Sequence, residues 1–225
     1  IYCFPRSTYT RLPPRNGVEL YGYVQRGVAQ CNGDHASAKP IGSPLVADLD
    51  GDGVSLDNAK KLSFDVAATG ERARIPTVAG ADRVLAMDLD ESGTIDSGLE
   101  LFGNASLCGA QRCTDGLEAL AQYDANRDGV IDARDPVYNK LRLWDMAGEL
   151  TPLASAKISG IRLDARLDLA WTDSYGNSAT RALDFVRTDG TAGAMHDVWF
   201  NLTFDKLPTK AASSGITSTL TRKLR

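Results

Sequence analysis

The stretch "DANRDGVID", residues 124–132, is followed three residues later by Asp135. Numbered as a twelve-residue loop, it places Asp124, Asn126 and Asp128 at positions 1, 3 and 5. Gly129 stands at position 6, where the chain must turn sharply, and Val130 at position 7 offers its backbone carbonyl. Ile131 at position 8 is an apolar anchor, and Asp132 and Asp135 take positions 9 and 12. This is the ligand spacing of an EF-hand loop, with Asp where Glu usually closes the shell. Asp is one methylene shorter than Glu, so bidentate closure is harder. The donors are all oxygens, which suits a hard cation, and flexible coordination by six to eight ligands favours Ca²⁺ over Mg²⁺.

Two further stretches carry the same spacing. In "DLDESGTID" the ligand positions fall on Asp88, Asp90, Ser92, Thr94 through its carbonyl, and Asp96. Position 12 is Leu99, and Glu100 comes one place late, so a widening at Ser97-Gly98 is needed to bring it round. In "DLDGDGV" the donors are Asp48, Asp50, Asp52 and the Val54 carbonyl, with no acid at position 9 or 12. Asp57 or Asp65 would have to complete that shell. The plainer reading of each stretch is a solvated Asx-rich turn, and it is strongest for the first. Carboxylates crowded within about 4–6 Å repel one another until a cation enters, so metal binding becomes folding energy. The expected cofactor is Ca²⁺, two to three ions.

Around these loops the sequence predicts a mixed fold. "TDGLEALAQYD" reads as a helix, with Asp115 as N-cap and Glu118 three residues on. "DPVYNKLRLWD" reads as a second helix, with Val137, Leu141 and Trp144 at helical spacing and Pro136 just inside its start. The third acidic loop then lies between two helices. Short strands are expected in "VELYGYVQ", "KLSFDV" and "RVLAMDLD". Alternating strands follow in "IRLDARLDL", "RALDFVR" and "DVWFNLTF", the last with Val198, Phe200, Leu202 and Phe204 on one face. The fold class is α+β: EF-hand-like calcium loops with short helices, plus an antiparallel β C-terminal part. Three segments follow: an N-terminal extension and linker over 1–42, a calcium-binding domain over 43–207, and a flexible tail over 208–225.

The chain has 225 residues, is 43% hydrophobic and 24% charged, and carries a formal net charge of -4. That balance gives no basic surface for nucleic acid, and no apolar run is long enough for membrane insertion. Beginning at Ile1, the chain reads as a processed product or an excised piece. The four cysteines fall into local pairs, Cys108 with Cys113 and Cys3 with Cys31, which reads as two disulfides in an oxidising compartment. Four reduced thiols are the alternative. Zinc is disfavoured, since neither pair has two-residue spacing and there are only two histidines. A hydrolase built on His35 or His196 lacks a Ser or Cys placed beside either one by the sequence.

Taken in order, "SPLVADLDGDGV", "LSFDV", "VLAMDLDESGTIDSGLELFGN", "GLEALAQYDANRDGVIDARD", "LRLWD" and "RTDGTAGAMHD" resemble one known module. It is the calcium-binding self-processing module of Gram-negative repeats-in-toxin proteins and related secreted adhesins, and the likeness runs from Ser43 to Phe204. The resemblance implies an extracellular, cell-surface or periplasmic module that folds on calcium. In the toxins such a module cuts the chain just before itself at an Asp-Pro bond, the Asp carboxylate attacking its own peptide carbonyl. The matching position here is Ser43-Pro44, and a hydroxyl cannot form the cyclic anhydride. The expected role is therefore a calcium-stabilised structural or adhesion module without self-cleavage, meeting an unknown protein or glycan partner on a surface. The alternative is calcium-dependent autoprocessing in a toxin-like protein. Asp135-Pro136 closes the third loop, where metal would hold the carboxylate, and reads as structural.

Overall fold

The computed structural model describes the backbone of Ser7–Arg15 and Val18–Gln25, and residues 42–204 with side chains for 42–202. Cys3, Cys31, His35 and the expected tail over 208–225 lie outside the described residues. Ser7–Arg15 and Val18–Gln25 pair as an antiparallel hairpin, so the strand expected in "VELYGYVQ" is present with a partner.

The main body is built on a nine-stranded antiparallel sheet. Its order runs Leu150–Pro152, Arg142–Trp144, Arg83–Ala86, Leu45–Ala47, Ala192–Trp199, Ser178–Arg187, Ile158–Arg162 and Val130–Asp132, with Trp171–Thr172 beside Ser178–Arg187. The central strand Leu45–Ala47 is short and apolar throughout because both sheet faces are covered there. Leu45 and Ala47 enter one core with Leu85, Leu143, Leu183, Phe185 and Met195. The residues between them in register, Val46, Val84, Ala86, Trp144 and Val198, enter a second core on the other face. The period-two alternation of a strand thus feeds two hydrophobic layers at once. Burying a side chain of this kind is worth about 1.5–3 kcal/mol, so these central strands are fixed by packing on both sides.

The Gly116–Ala121 helix covers the first core with Leu117, Ala119 and Leu120. Asp115 caps it as the sequence predicts, accepting from the Glu118 N–H at 2.9 Å. Glu118 reaches one residue farther back than a capping box requires, to the Thr114 N–H at 2.6 Å. A three-stranded sheet ordered Thr203–Phe204, Ala73–Val78, Leu56–Phe64 covers the second core with Phe64, Ala73 and Ile75.

This architecture corrects the expected α+β, EF-hand-like class: the described residues are mainly β and contain one α-helix, of six residues. The second expected helix is a 3₁₀ turn at Tyr138–Lys140 followed by the Arg142–Trp144 strand. Leu143 and Trp144 point into opposite cores, which a strand permits and a helix does not, and the strand is paired on both sides. The third acidic loop therefore runs from a helix into a strand, Val130–Asp132, rather than between two helices. Strand pairing also ends early in "IRLDARLDL": the strand is Ile158–Arg162, and Leu167 is 67% exposed. Val198 and Phe200 are buried in one core with Leu202 against it, although the strand stops at Trp199.

Candidate metal centre

The three acidic loops share one backbone geometry. In each, the first Asp accepts amide hydrogen bonds from within its own turn. Asp48 accepts from Gly51 and Gly53 at 2.7 and 3.0 Å. Asp88 accepts from Ser92 and Gly93 at 3.0 and 2.8 Å, and Asp124 from Asp128 and Gly129 at 3.2 and 2.9 Å. The fourth residue and the sixth-position glycine both have positive φ: Gly51 and Gly53 at 82° and 94°, Glu91 and Gly93 at 59° and 82°, Arg127 and Gly129 at 60° and 82°. Positive φ at a non-glycine residue is uncommon, so its recurrence at the fourth position marks one loop type.

Asp65 heads a fourth copy. It accepts from Thr69 and Gly70 at 2.9 and 2.7 Å, with Ala68 and Gly70 at 50° and 82°. Its third position is Ala67, and the Arg112 guanidinium donates to the Ala67 and Ala68 carbonyls at 2.8 and 3.4 Å. Asp65 belongs to neither cluster of three carboxylates found among the described residues. Asp57, the other candidate to complete the first shell, caps the Ala59 and Lys60 N–H groups at 2.9 and 3.0 Å.

The second loop gathers Asp88, Asp90 and Glu100, one carboxylate oxygen of each lying within 4.8 Å of the others. Glu100 is brought round by the 3₁₀ turn Gly98–Glu100, which absorbs the extra residue and is held by a capping box with Ser97. Its carboxylate accepts from Asp96 and Ser97 at 2.8 and 3.3 Å and from Leu89 at 3.3 Å. Burial pushes the Glu100 pKa up, and those amide bonds pull the other way. The Ser92 hydroxyl bonds the Thr94 carbonyl at 3.2 Å, Ile95 is buried beneath the loop, and Asp96 stays exposed outside the cluster.

The first loop gathers Asp48, Asp50 and Asp52 at the same spacing. A hydrogen bond from Asp50 and its charge raise the Asp52 carboxyl above its ordinary range. The loop is tied to the sheet by Arg187, which donates to the Leu49 carbonyl at 2.8 Å. Asp82, which the sequence reading missed, is buried nearby and accepts from the Ser55 N–H at 2.6 Å. Its pKa is pushed to about 6, first by burial and then by the charges of Asp48, Asp50 and Asp52.

The third loop matches the EF-hand spacing best, yet it is not one of the two clusters. Its closing residue is in place: Asp135 is buried and accepts from Ala125 and Asp132 at 2.8 and 3.0 Å. The Arg134 guanidinium, however, reaches both Asp128 and Asp132 at 2.6 Å, and Asn126 bonds Asp128 at 3.0 Å. A side-chain cation partly neutralises this loop. Among the described residues no Lys or Arg forms an ion pair with the carboxylates of the first two loops.

Away from the loops, His196 and Asp197 are buried in the Ala192–Trp199 strand, and Asp197 accepts from the Gly116 N–H at 3.0 Å. Burial pushes the Asp197 pKa up to about 7. Ser43 is buried, and its hydroxyl accepts from the Asn104 N–H at 3.3 Å. Cys108 and Cys113 form the expected disulfide across the small hairpin of Leu107–Cys108 and Gln111–Arg112. No helix among the described residues is long and apolar enough to cross a membrane.

The residues fit a hard divalent cation. The donors are carboxylates and carbonyls, and each of the first two loops holds like charges with no ion-paired Lys or Arg among the described residues.

The iron-regulated protein FrpA of Neisseria meningitidis serogroup C is 35% identical over 169 residues, covering 69% of this chain and 15% of that protein. The chain thus spans only a small part of that relative. A family model described as the SPM domain matches residues 45–201, which takes in all three acidic loops and the whole of the main sheet. The chain belongs to the SPM domain family.

Proposed function

We propose that this chain is a calcium-stabilised module of a secreted or cell-surface bacterial protein, serving structural support or partner binding without self-cleavage. The observation that carries the reading is the second loop. Asp88, Asp90 and Glu100 are held within 4.8 Å with no Lys or Arg ion-paired to them among the described residues, and Glu100 is buried. Such a group is costly when metal-free and favourable around a divalent ion. The bacterial setting agrees with the similarity to the Neisseria protein and with the resemblance to repeats-in-toxin modules. The disulfide agrees with an oxidising, calcium-rich compartment, where even weak sites fill.

Asp48, Asp50, Asp52 and the Val54 carbonyl would hold one ion; Asp88, Asp90, Ser92, the Thr94 carbonyl, Asp96 and Glu100 would hold a second. Asp124, Asn126, Asp128, the Val130 carbonyl, Asp132 and Asp135 would hold a third once Arg134 swings out. Calcium would supply charge balance and hold the loops to the strands they follow. Self-cleavage is left out because Ser43 offers a hydroxyl where the related toxins have a carboxylate. Calorimetric titration with Ca²⁺ in a magnesium background tests the reading. Uptake of two to three ions is expected, and no uptake at millimolar calcium overturns it.

A further inference from the structure

The first loop lacks any acid at its ninth or twelfth position, whereas the other two each have a buried closing carboxylate. Glu100 accepts from the ninth-position amide, Asp96, and the second-position amide, Leu89. Asp135 does the same with Asp132 and Ala125. Beside the first loop, a buried carboxylate comes from the residue that precedes a neighbouring strand. Leu45–Ala47 pairs antiparallel with Arg83–Ala86, Val46 opposite Val84 and Ala47 opposite Arg83. Continued by one residue, that register sets Asp82 across from Asp48. Asp82 is 1% exposed and its Oδ2 accepts from the eighth-position amide, Ser55. Its Oδ1 is buried without a hydrogen-bond partner.

Two like charges directly across a strand pair are destabilising, and a buried carboxylate oxygen with no donor costs its full desolvation. Nothing among the described residues offsets either cost: no Lys or Arg forms an ion pair with Asp82 or Asp48. We propose that Asp82 is the closing ligand of the first cation site, its free Oδ1 joining Asp48, Asp50 and Asp52 around one hard divalent ion. This assignment rests on the calcium reading above. It makes the first site non-local: the ion joins the start of one strand to the end of its neighbour, so its binding requires the two to be paired.

Calorimetric calcium titration of the whole chain, alongside D82N and D57N, tests the assignment. The wild type should take up calcium; if it does not, the calcium reading itself has failed. D82N should lose one ion or show a tenfold or greater rise in one Kd, and D57N should titrate like the wild type. D82N that titrates like the wild type overturns the role of Asp82 while leaving the calcium reading standing. Melting in excess chelator separates ligation from simple packing. There D82N should melt at or above the wild type, because the buried charge is gone, and below it in calcium. An equal loss in both conditions means that Asp82 is only structural. Should D82N not fold, the carboxyl ¹³C resonance of Asp82 in the wild-type protein gives the answer: it must shift on calcium addition in step with that of Asp48, and an unmoved resonance overturns the assignment.

Discussion

Replacing Asp90 by Asn probes the second loop at its exposed edge. In the metal-free protein the variant keeps its geometry, since an amide oxygen still accepts from the Ser92 N–H as Asp90 does at 3.1 Å. It removes two of the three like-charge pairs among Asp88, Asp90 and Glu100, whose nearest oxygens lie within 4.8 Å. In the dielectric of water each pair at that spacing costs about 0.9 kcal/mol at low ionic strength, so the substitution relieves up to about 1.7 kcal/mol. With calcium bound the balance reverses. A dipositive ion at about 2.4 Å from a carboxylate oxygen gains about 3.5 kcal/mol even at the dielectric of water, of which a neutral amide oxygen recovers a part. A net loss of about 2–3 kcal/mol follows, roughly a thirty- to hundredfold weaker site. For a body of this size one kcal/mol moves Tm by about 2–4 °C. The gain without metal offsets part of that loss, so differential scanning calorimetry should show D90N melting about 2–7 °C above the wild type in chelator and about 1–5 °C below it in saturating calcium. A variant that melts below the wild type by the same amount in both buffers would refute the reasoning, because the carboxylate would then act through packing and not through charge.

Three further outcomes are expected. Arg134 is exposed and its ion pairs are weakened by solvent, so R134Q should tighten calcium binding at the third loop by up to about fivefold in a calorimetric titration. Replacing Cys108 and Cys113 by Ser opens a short loop, with an expected loss of about 2 kcal/mol that a denaturant melt will register. Asp197 has its pKa raised by burial to about 7, so the folded state favours the protonated form. Its contribution is full below the unfolded value near 3.8 and falls away as pH rises through about 7. Asp82, raised to about 6, acts in the same direction when no metal is present. In chelator, D197N should lose less stability between pH 5 and pH 8 than the wild type does, read from Tm at each pH.

The loops were legible because their requirements are local. Alternate oxygen donors and a turn glycine are written within nine residues, and the structure returns the same hydrogen-bonded turn at Asp48, Asp88 and Asp124. Glu100 was legible for the same reason, one residue of slack being absorbed by a single 3₁₀ turn. The fold class was not. Val137, Leu141 and Trp144 satisfy a helical period, but Leu143 and Trp144 are claimed by two different cores, and tertiary pairing overrode the local pattern. Leu167 alternates like a strand residue and yet finds no layer to cover it. Asp82 left no trace in its own neighbourhood, because its relation to Asp48 exists only through the pairing of Leu45–Ala47 with Arg83–Ala86. Arg134 also lies within plain view of the third loop, but spacing alone does not say that its guanidinium turns inward.

The Leu45–Ala47 strand is held between Arg83–Ala86 and Ala192–Trp199, so the earliest strand of the main sheet waits for one almost 150 residues later. Contacts of such sequence separation make folding slow, and here they also make it late. A chain threading through a channel from its N-terminal end would have one edge of its innermost strand open until nearly the whole length had passed. Threaded that way, the chain would travel as an open polymer and harden only on arrival.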